Sequence, residues 1–469
     1  MRKKWGVILL LVSFALSIWM VTGCDQPSDT EDIAVVASAN LLGGDNGKIE
    51  LIDTKDPSVD HTVLSGVKKP MRTLVSPDGL TAYVGGSNPP VVSVVDIPNR
   101  TAVNHGVDGN SIWDMALSAD GARLVVGVNK GLLNYSQIVV YDTTDMSILH
   151  NFNAYESGLF PTSVYGCKLA VHPSADMVYV ISKDLLSLNI YLRTFSFTEG
   201  LKGTRIKIAS QSWLGGDFDD YDLGISPDGT LLLAVSSDVF PYVLDGETFL
   251  PTALYVNGGI GVDNSPALKG NSTLLFSENG KYIYINSSGI RYLDLINDGG
   301  GSILLSRKRI DAEDPQPVLY DMIDFIEDLV PYLSGLLGDD MYQEIMDMFL
   351  GDTLFGIAAS TIQKNTCYML VAPVVDASLI VDSGLYLLLV SSYDPILGMN
   401  VITGLRVLTE YPNGISVNKE RDTMIISYSQ ANSKKIEIIN RDDFLGWSLS
   451  GSIAEELENN PRAMGIATY

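Results

Sequence analysis

The stretch "SPDGLTAYVGG" at residues 76–86 returns in altered form as "SADGARLVVGV" at 118, "SPDGTLLLAVS" at 226 and "SENGKYIYINS" at 277. A recurring unit constrains the fold more than any bulk property does. Each copy is one supersecondary piece that cannot bury its apolar surface alone and must stack on its neighbours. Each begins with a short apolar run and turns at a Ser-Pro-Asp-Gly type sequence, where Asp supports the turn and Gly accepts positive φ. A second apolar strand follows, then a third such as "VVSVVDI" at 91–97, and a fourth such as "RTAVNHG" at 100–106. Asp96, Asp142 and Asp294 mark the end of the third strand in their copies. Four short strands with alternating or buried apolar patterns are what one propeller blade requires.

The first strand of each unit falls near 71–76, 113–118, 167–172, 221–226, 272–277, 356–361 and 413–418. The segment from Ile33 onward supplies a second, third and fourth strand but lacks a first. "NNPRAMGIATY" at the far end matches "KKPMRTLVS" at 68–76, including its Pro. The expectation is an all-β propeller over 33–469 whose C-terminal strand completes the N-terminal blade. That gives eight four-stranded blades, or seven if the pattern around 356–410 is not a blade.

With Ser76-Pro77-Asp78-Gly79 followed by Tyr83-Val84, and with Ser226-Pro227-Asp228-Gly229, the text resembles the YVTN-type, surface-layer-like β-propeller repeats of bacterial and archaeal surface proteins. The resemblance covers about 33–310 and 356–469. It implies the fold and leaves function open, since family members include surface binding modules and related propellers include lactonases and quinone-dependent dehydrogenases. His172 stands where other copies carry the turn Ser.

"MRKK", an apolar stretch and "VTGC" at 21–24 read as an export signal. Val21-Thr22-Gly23-Cys24 resembles a bacterial lipoprotein signal, with 1–23 as signal peptide, Cys24 as lipidated residue and 24–32 as linker. Several acyl chains on Cys24 would anchor the protein stably to a membrane. Localisation is then extracytoplasmic, on an inner or outer membrane. Asp25 resembles an inner-membrane retention signal in some double-membraned bacteria. Cys167 and Cys367 lie in apolar strand-like runs and read as buried free thiols. The formal charge of −25 repels phosphate backbones, so nucleic acid is not an expected partner.

Residues 311–352 carry twelve Asp and Glu and no Lys or Arg. Leu319, Met322, Ile323, Ile326, Val330 and Leu333 fall on one helical face. Pro331, Gly335 and Gly338 interrupt or end that helix, and Asp339 or Asp340 can cap a second. A helical hairpin inserted in the propeller is expected, packed on the propeller or serving as a partner-binding lid. Met322, Met341, Met346 and Met348 favour the latter role.

His61, His105 and His150 fall near the fourth strand of successive units, too far apart for a metal site, and no zinc spacing, phosphate loop or nucleophile elbow is present. Asp217, Asp219 and Asp220 form an acidic loop that could hold Ca²⁺ through oxygen ligands, although the spacing matches no EF-hand. No other cofactor is expected. Arg72, Asp114, Lys168 and Asp222 occupy the starts of successive first strands, around one channel mouth. There they either pair between blades or present a polar site for a zwitterionic or sugar-like ligand. Trp113 and Tyr221, with Tyr165 and Trp213, would supply stacking surface or inter-blade packing. The functional expectation is a lipid-anchored binding or assembly module of the cell envelope, with a small polar ligand or an envelope protein as partner. The alternative is a lactonase-type hydrolase, which needs a divalent metal at the channel mouth.

Overall fold

A computed structural model describes residues 32–39, 47–55, 61–130, 136–153, 164–184, 189–210, 221–235, 239–254, 272–287, 301–306, 318–320, 355–363, 366–373, 386–394, 399–408, 410, 412–418, 423–428, 435–440, 453–456 and 460–468. All of these belong to one compact unit, Asp32–Tyr469. The described strands form eight four-stranded antiparallel sheets, and no helix is present among the described residues. Within a sheet the strands run as a meander, each pairing with its sequence neighbours. The innermost strands are Asn460–Thr468, Pro70–Val75, Ser111–Leu117, Val164–Val171, Asp222–Ile225, Ser272–Phe276, Phe355–Gln363 and Pro412–Val417. Each touches the one before and the one after, and Pro412–Val417 touches Asn460–Thr468, so the eight close into a ring. The sheets are numbered first to eighth in that order.

The first sheet is composite. Its innermost strand, Asn460–Thr468, pairs antiparallel with Asp32–Ala39, which continues through Lys48–Asp53 to His61–Ser65. The match between the C-terminal text and the other first strands is thus a match of position in the sheet. Asp32 ties this sheet to the eighth, because Asn418 Nδ2 donates to its Oδ2 at 2.7 Å.

Second strands such as Leu231–Val235 and Met177–Asp184 are buried at every position. Continuous burial, without alternation, is what a sheet covered on both faces gives. The core accordingly lies between sheets. Val125, Val140, Leu169 and Phe195 join the third sheet to the fourth. Tyr179, Leu192, Leu232 and Tyr242 join the fourth to the fifth, and Val36, Ile52, Ile425 and Ile438 join the first to the eighth.

The repeated turn has a local cause. Ser226 Oγ donates to Asp228 Oδ1 at 2.6 Å and accepts the Leu231 N–H at 3.0 Å, while Asp228 Oδ1 accepts the Thr230 N–H at 3.1 Å. Ser76 with Asp78, Ser118 with Asp120 and Ser277 with Asn279 repeat that hook. Turns also interlock. Pro77 packs where a Cβ on Gly121 would stand, His172 does so at Gly229, and Pro227 lies in ordinary contact with the Cβ position of Gly280. Gly229 has φ +70, and a Cβ there would lie 2.5 Å from His172 Cε1. Gly229→Ala is therefore expected to cost about 2 kcal/mol or more. Gly246→Ala, with nothing within 4 Å of the new carbon, should stay within about 0.5 kcal/mol. Chemical denaturation of the two variants checks both.

Two sequence expectations need correction. Val318–Tyr320 is the outermost strand of the sixth sheet, paired with Gly301–Ser306, so Leu319 does not belong to a helical face. A sheet short of a fourth strand takes up the "VLY" run, whose residues suit a pleated surface. The rest of the 311–352 hairpin lies outside the described residues. The third strand of that sheet is Gly301–Ser306, whereas the run ending at Asp294 lies outside the described residues.

Candidate functional site

Arg72, Asp114, Lys168 and Asp222 come to equivalent places on four successive sheets. Each stands four residues before the side chain that caps its strand: Ser76, Ser118, His172 and Ser226. Their partners on the second strands are Gly85, Gly127, Ile181 and Val235. In the first three of these strands the residue just before is skipped by the ladder, so Met71, Trp113 and Cys167 each sit in a bulge. The same skip recurs at Ala358, Asn413 and Arg462 on the seventh, eighth and first sheets. Bulges bend a strand and re-aim its side chains, and they concentrate at the rims of closed sheets. Here they define one rim of the ring.

The four charges form a ladder running around that rim. Arg72 Nη1 donates to Asp114 Oδ1 at 2.6 Å. Asp114 Oδ1 also accepts the Met115 N–H at 2.9 Å, and Oδ2 accepts the Leu169 N–H of the next sheet at 3.1 Å. Asp222 repeats the arrangement with the Leu223 N–H at 2.9 Å and the Leu274 N–H of its own next sheet at 2.6 Å. Burial pushes the Asp222 carboxyl above the usual range, opposed by Lys168, by the two amides and by Arg72. Of the four residues, Arg72 and Asp114 form an ion pair between sheets, and Asp222 reaches its next sheet through the Leu274 amide. The Arg72 side chain stays 45% exposed while Asp114 is 4% exposed.

The aromatic expectations fare differently. Tyr221 is 3% exposed and packs with Tyr179, Leu223 and Tyr242 between the fourth and fifth sheets. The Trp113 ring covers Gly127, with Cε2 2.4 Å from where a Cβ would stand, and it packs against the cluster between the third and fourth sheets. Of the two roles the sequence left open, stacking surface or inter-blade packing, both take the packing role. A bulge adds one residue, which turns the bulged side chain away from the direction its neighbours imply.

The other candidates separate. His61 Nε2 lies 3.0 Å from the buried Glu50 Oε2, while His150 stacks on Phe152 at 5.6 Å. His172 accepts the Ser174 and Ala175 N–H groups on Nδ1 and faces Gly229 O through Nε2 at 3.0 Å. That acceptor role fixes its tautomer, and burial lowers its pKa. Cys367 is a buried free thiol, and burial raises its pKa to about 12. Among the described residues no cluster of His, Cys, Asp or Glu could hold a metal. Asp217, Asp219, Asp220, Trp213 and Cys24 lie outside the described residues, as do the side chains of Tyr165 and Cys167.

Sequence reading missed a second buried polar cluster, between the seventh and eighth sheets. Arg406 Nη2 donates to Glu437 Oε1 at 2.8 Å, and the Tyr428 hydroxyl donates to Glu437 Oε2. Its members come from three strands of two sheets, with Arg406 31 residues from Glu437, so no local pattern announces it.

No protein-family model matches the chain, and no curated protein matches it in sequence. In fold it is similar to solved β-propeller structures. Against apo AztD from Citrobacter koseri the TM-score is 0.56 at 11% identity, over 94% of this chain and 98% of that one. Against the dihydro-heme d1 dehydrogenase NirN in complex with DHE it is 0.55 at 13% identity, over 92% of this chain and 74% of that one. At such identities the likeness establishes the fold alone: this chain is a β-propeller.

Proposed function

We propose that the protein is an eight-bladed propeller of the YVTN-type repeat class, carried on lipidated Cys24 outside a bacterial membrane, and that it binds a ligand or envelope protein at the bulged rim of its channel. The observation that carries the binding reading is the charge ladder. Four ionisable side chains occupy equivalent rim positions on neighbouring sheets, and one of them, Arg72, keeps much of its surface in solvent. Propellers place their ligand sites at such channel mouths because side chains from several blades converge there, and function belongs to that site and not to the fold. Asp114 and Asp222 favour binding over metal-assisted hydrolysis, since both oxygens of each carboxylate already accept backbone N–H groups or Arg72.

The test is site-directed photo-crosslinking in the native envelope. Met71 is 52% exposed on the bulged rim, and Leu80 is 43% exposed beside the turn at the other end of the same strand. A photoreactive residue at 71 is expected to capture an envelope component, and one at 80 is not. Cys24→Ser should leave the precursor unprocessed and abolish acylation. Equal capture at both positions, or a Cys24→Ser chain that is still acylated, would overturn the corresponding part of the proposal.

A further inference from the structure

We infer that the rim site takes a small anion, a carboxylate- or phosphate-bearing molecule whose charged group is held between Arg72 and Lys168. The inference rests on the binding reading above and adds the chemistry of the ligand.

Its ground is which hydrogen-bonding capacity the ladder leaves unused. A carboxylate offers acceptors only, whereas guanidinium and ammonium groups offer donors only. Both carboxylates of the ladder are committed to the protein. Asp114 takes Arg72, its own strand at Met115 and the next sheet at Leu169, and Asp222 takes its own strand at Leu223 and the next sheet at Leu274. The cations are much less committed. Arg72 uses one nitrogen on Asp114 and stays 45% exposed. Among the described residues the half-buried Lys168 ammonium has no hydrogen-bond acceptor, and Asp222 is its charged neighbour. A group entering the rim therefore meets donors, and the ligand must supply acceptors.

At this register position the charge falls on one arc only. The equivalent register positions on the sixth, seventh, eighth and first sheets are Thr273, Ala359, Gly414 and Ala463, none of them charged. A ligand with a single anionic end would place it over the second to fourth sheets and its uncharged remainder over the opposite arc. Local cationic donors on a chain of net charge −25 have a further consequence. The surrounding negative field slows the approach of anions, so binding should be selective and should strengthen as added salt first screens that field.

Calorimetric titration of the purified full chain tests this with four probes: inorganic phosphate, citrate, glycine and glucose. Phosphate or citrate is expected to bind, and whichever is tighter identifies the anion source. Lys168→Gln should weaken that binding by about tenfold, whereas Lys168→Arg, which keeps the charge beside Asp222, should retain most of it. Arg72→Gln should weaken it by a similar factor. Anion binding that is unchanged in both variants would overturn the inference by locating the anion elsewhere. Binding of glucose or glycine alone, abolished by the same substitutions, would overturn the anionic chemistry but leave the rim as the binding site. No binding by any probe, with crosslinking at residue 71 intact, would also overturn the inference while the binding reading stands. Failure of that crosslink is what removes the reading itself.

Discussion

A chain lacking residues 461–469 is expected to melt on the order of 10 °C below the parent and to aggregate, a large effect for so short a deletion. The lost segment is the innermost strand of the first sheet and pairs with Asp32–Ala39 along its length. Each ladder hydrogen bond contributes about 1 kcal/mol, so the pairing alone is worth several. The losses continue sideways. Met464 and Ile466 pack on the cluster that joins the first and eighth sheets, and Gly465 lies against Val75 and Thr73 of the second. The deletion thus opens the ring on both sides and exposes Asp32–Ala39, whose residues are all buried, as an edge. Exposed apolar edges pair with other chains. Differential scanning calorimetry and light scattering read the two effects. A truncated chain that stays monomeric with an unchanged melting temperature would contradict the closed ring.

The second large effect belongs to Glu437. It is 6% exposed, accepts from Arg406 and from the Tyr428 hydroxyl, and lies between two sheets. Burial and the neighbouring carboxylate keep the Tyr428 hydroxyl protonated, with its pKa raised, so it remains a donor. Glu437→Ala leaves a guanidinium buried without its counter-charge and should cost about 3–5 kcal/mol. Replacing the whole cluster is a different matter. The Arg406→Met, Tyr428→Phe, Glu437→Leu triple variant removes every polar group together and should recover most of that loss, as apolar replacements of buried ion pairs often do. Denaturation midpoints of the single and triple variants make the comparison. A triple variant as unstable as Glu437→Ala would show that the shape of the cluster matters more than its charge.

How much of this was legible depends on how locally each feature is encoded. The Ser-Asp turns were readable because hook and turn lie within six residues: Ser76, Asp78 and the Thr81 N–H. The composite sheet was readable because Pro461 stands where Pro70 stands in its own strand. The third strand of the sixth sheet was misplaced, since two apolar runs compete for Tyr282–Ser287 and only tertiary pairing selects Gly301–Ser306. Arg72, Asp114, Lys168 and Asp222 were found as a set because they share one position in the repeat. The sequence left Trp113 open between stacking and packing, because the bulge beneath it is set by pairing with Arg123–Asn129 and leaves no mark of its own in the text. The Arg406–Glu437 pair spans two sheets and stayed invisible.

The interlocked turns bear on how such a chain could have grown. Pro77 seats on Gly121 and Pro227 touches Gly280, and the unit at Ser226–Gly229 carries both halves of the contact, Pro227 forward and Gly229 back. A duplicated unit inherits both halves of the contact and can be inserted without redesigning its neighbours. Once His172 and Pro173 came to fill the space at Gly229, that junction acquired a partner of its own, and the two units could no longer be exchanged freely with the rest. A unit that carries His-Pro in place of Ser-Pro thereby has a fixed place in the ring.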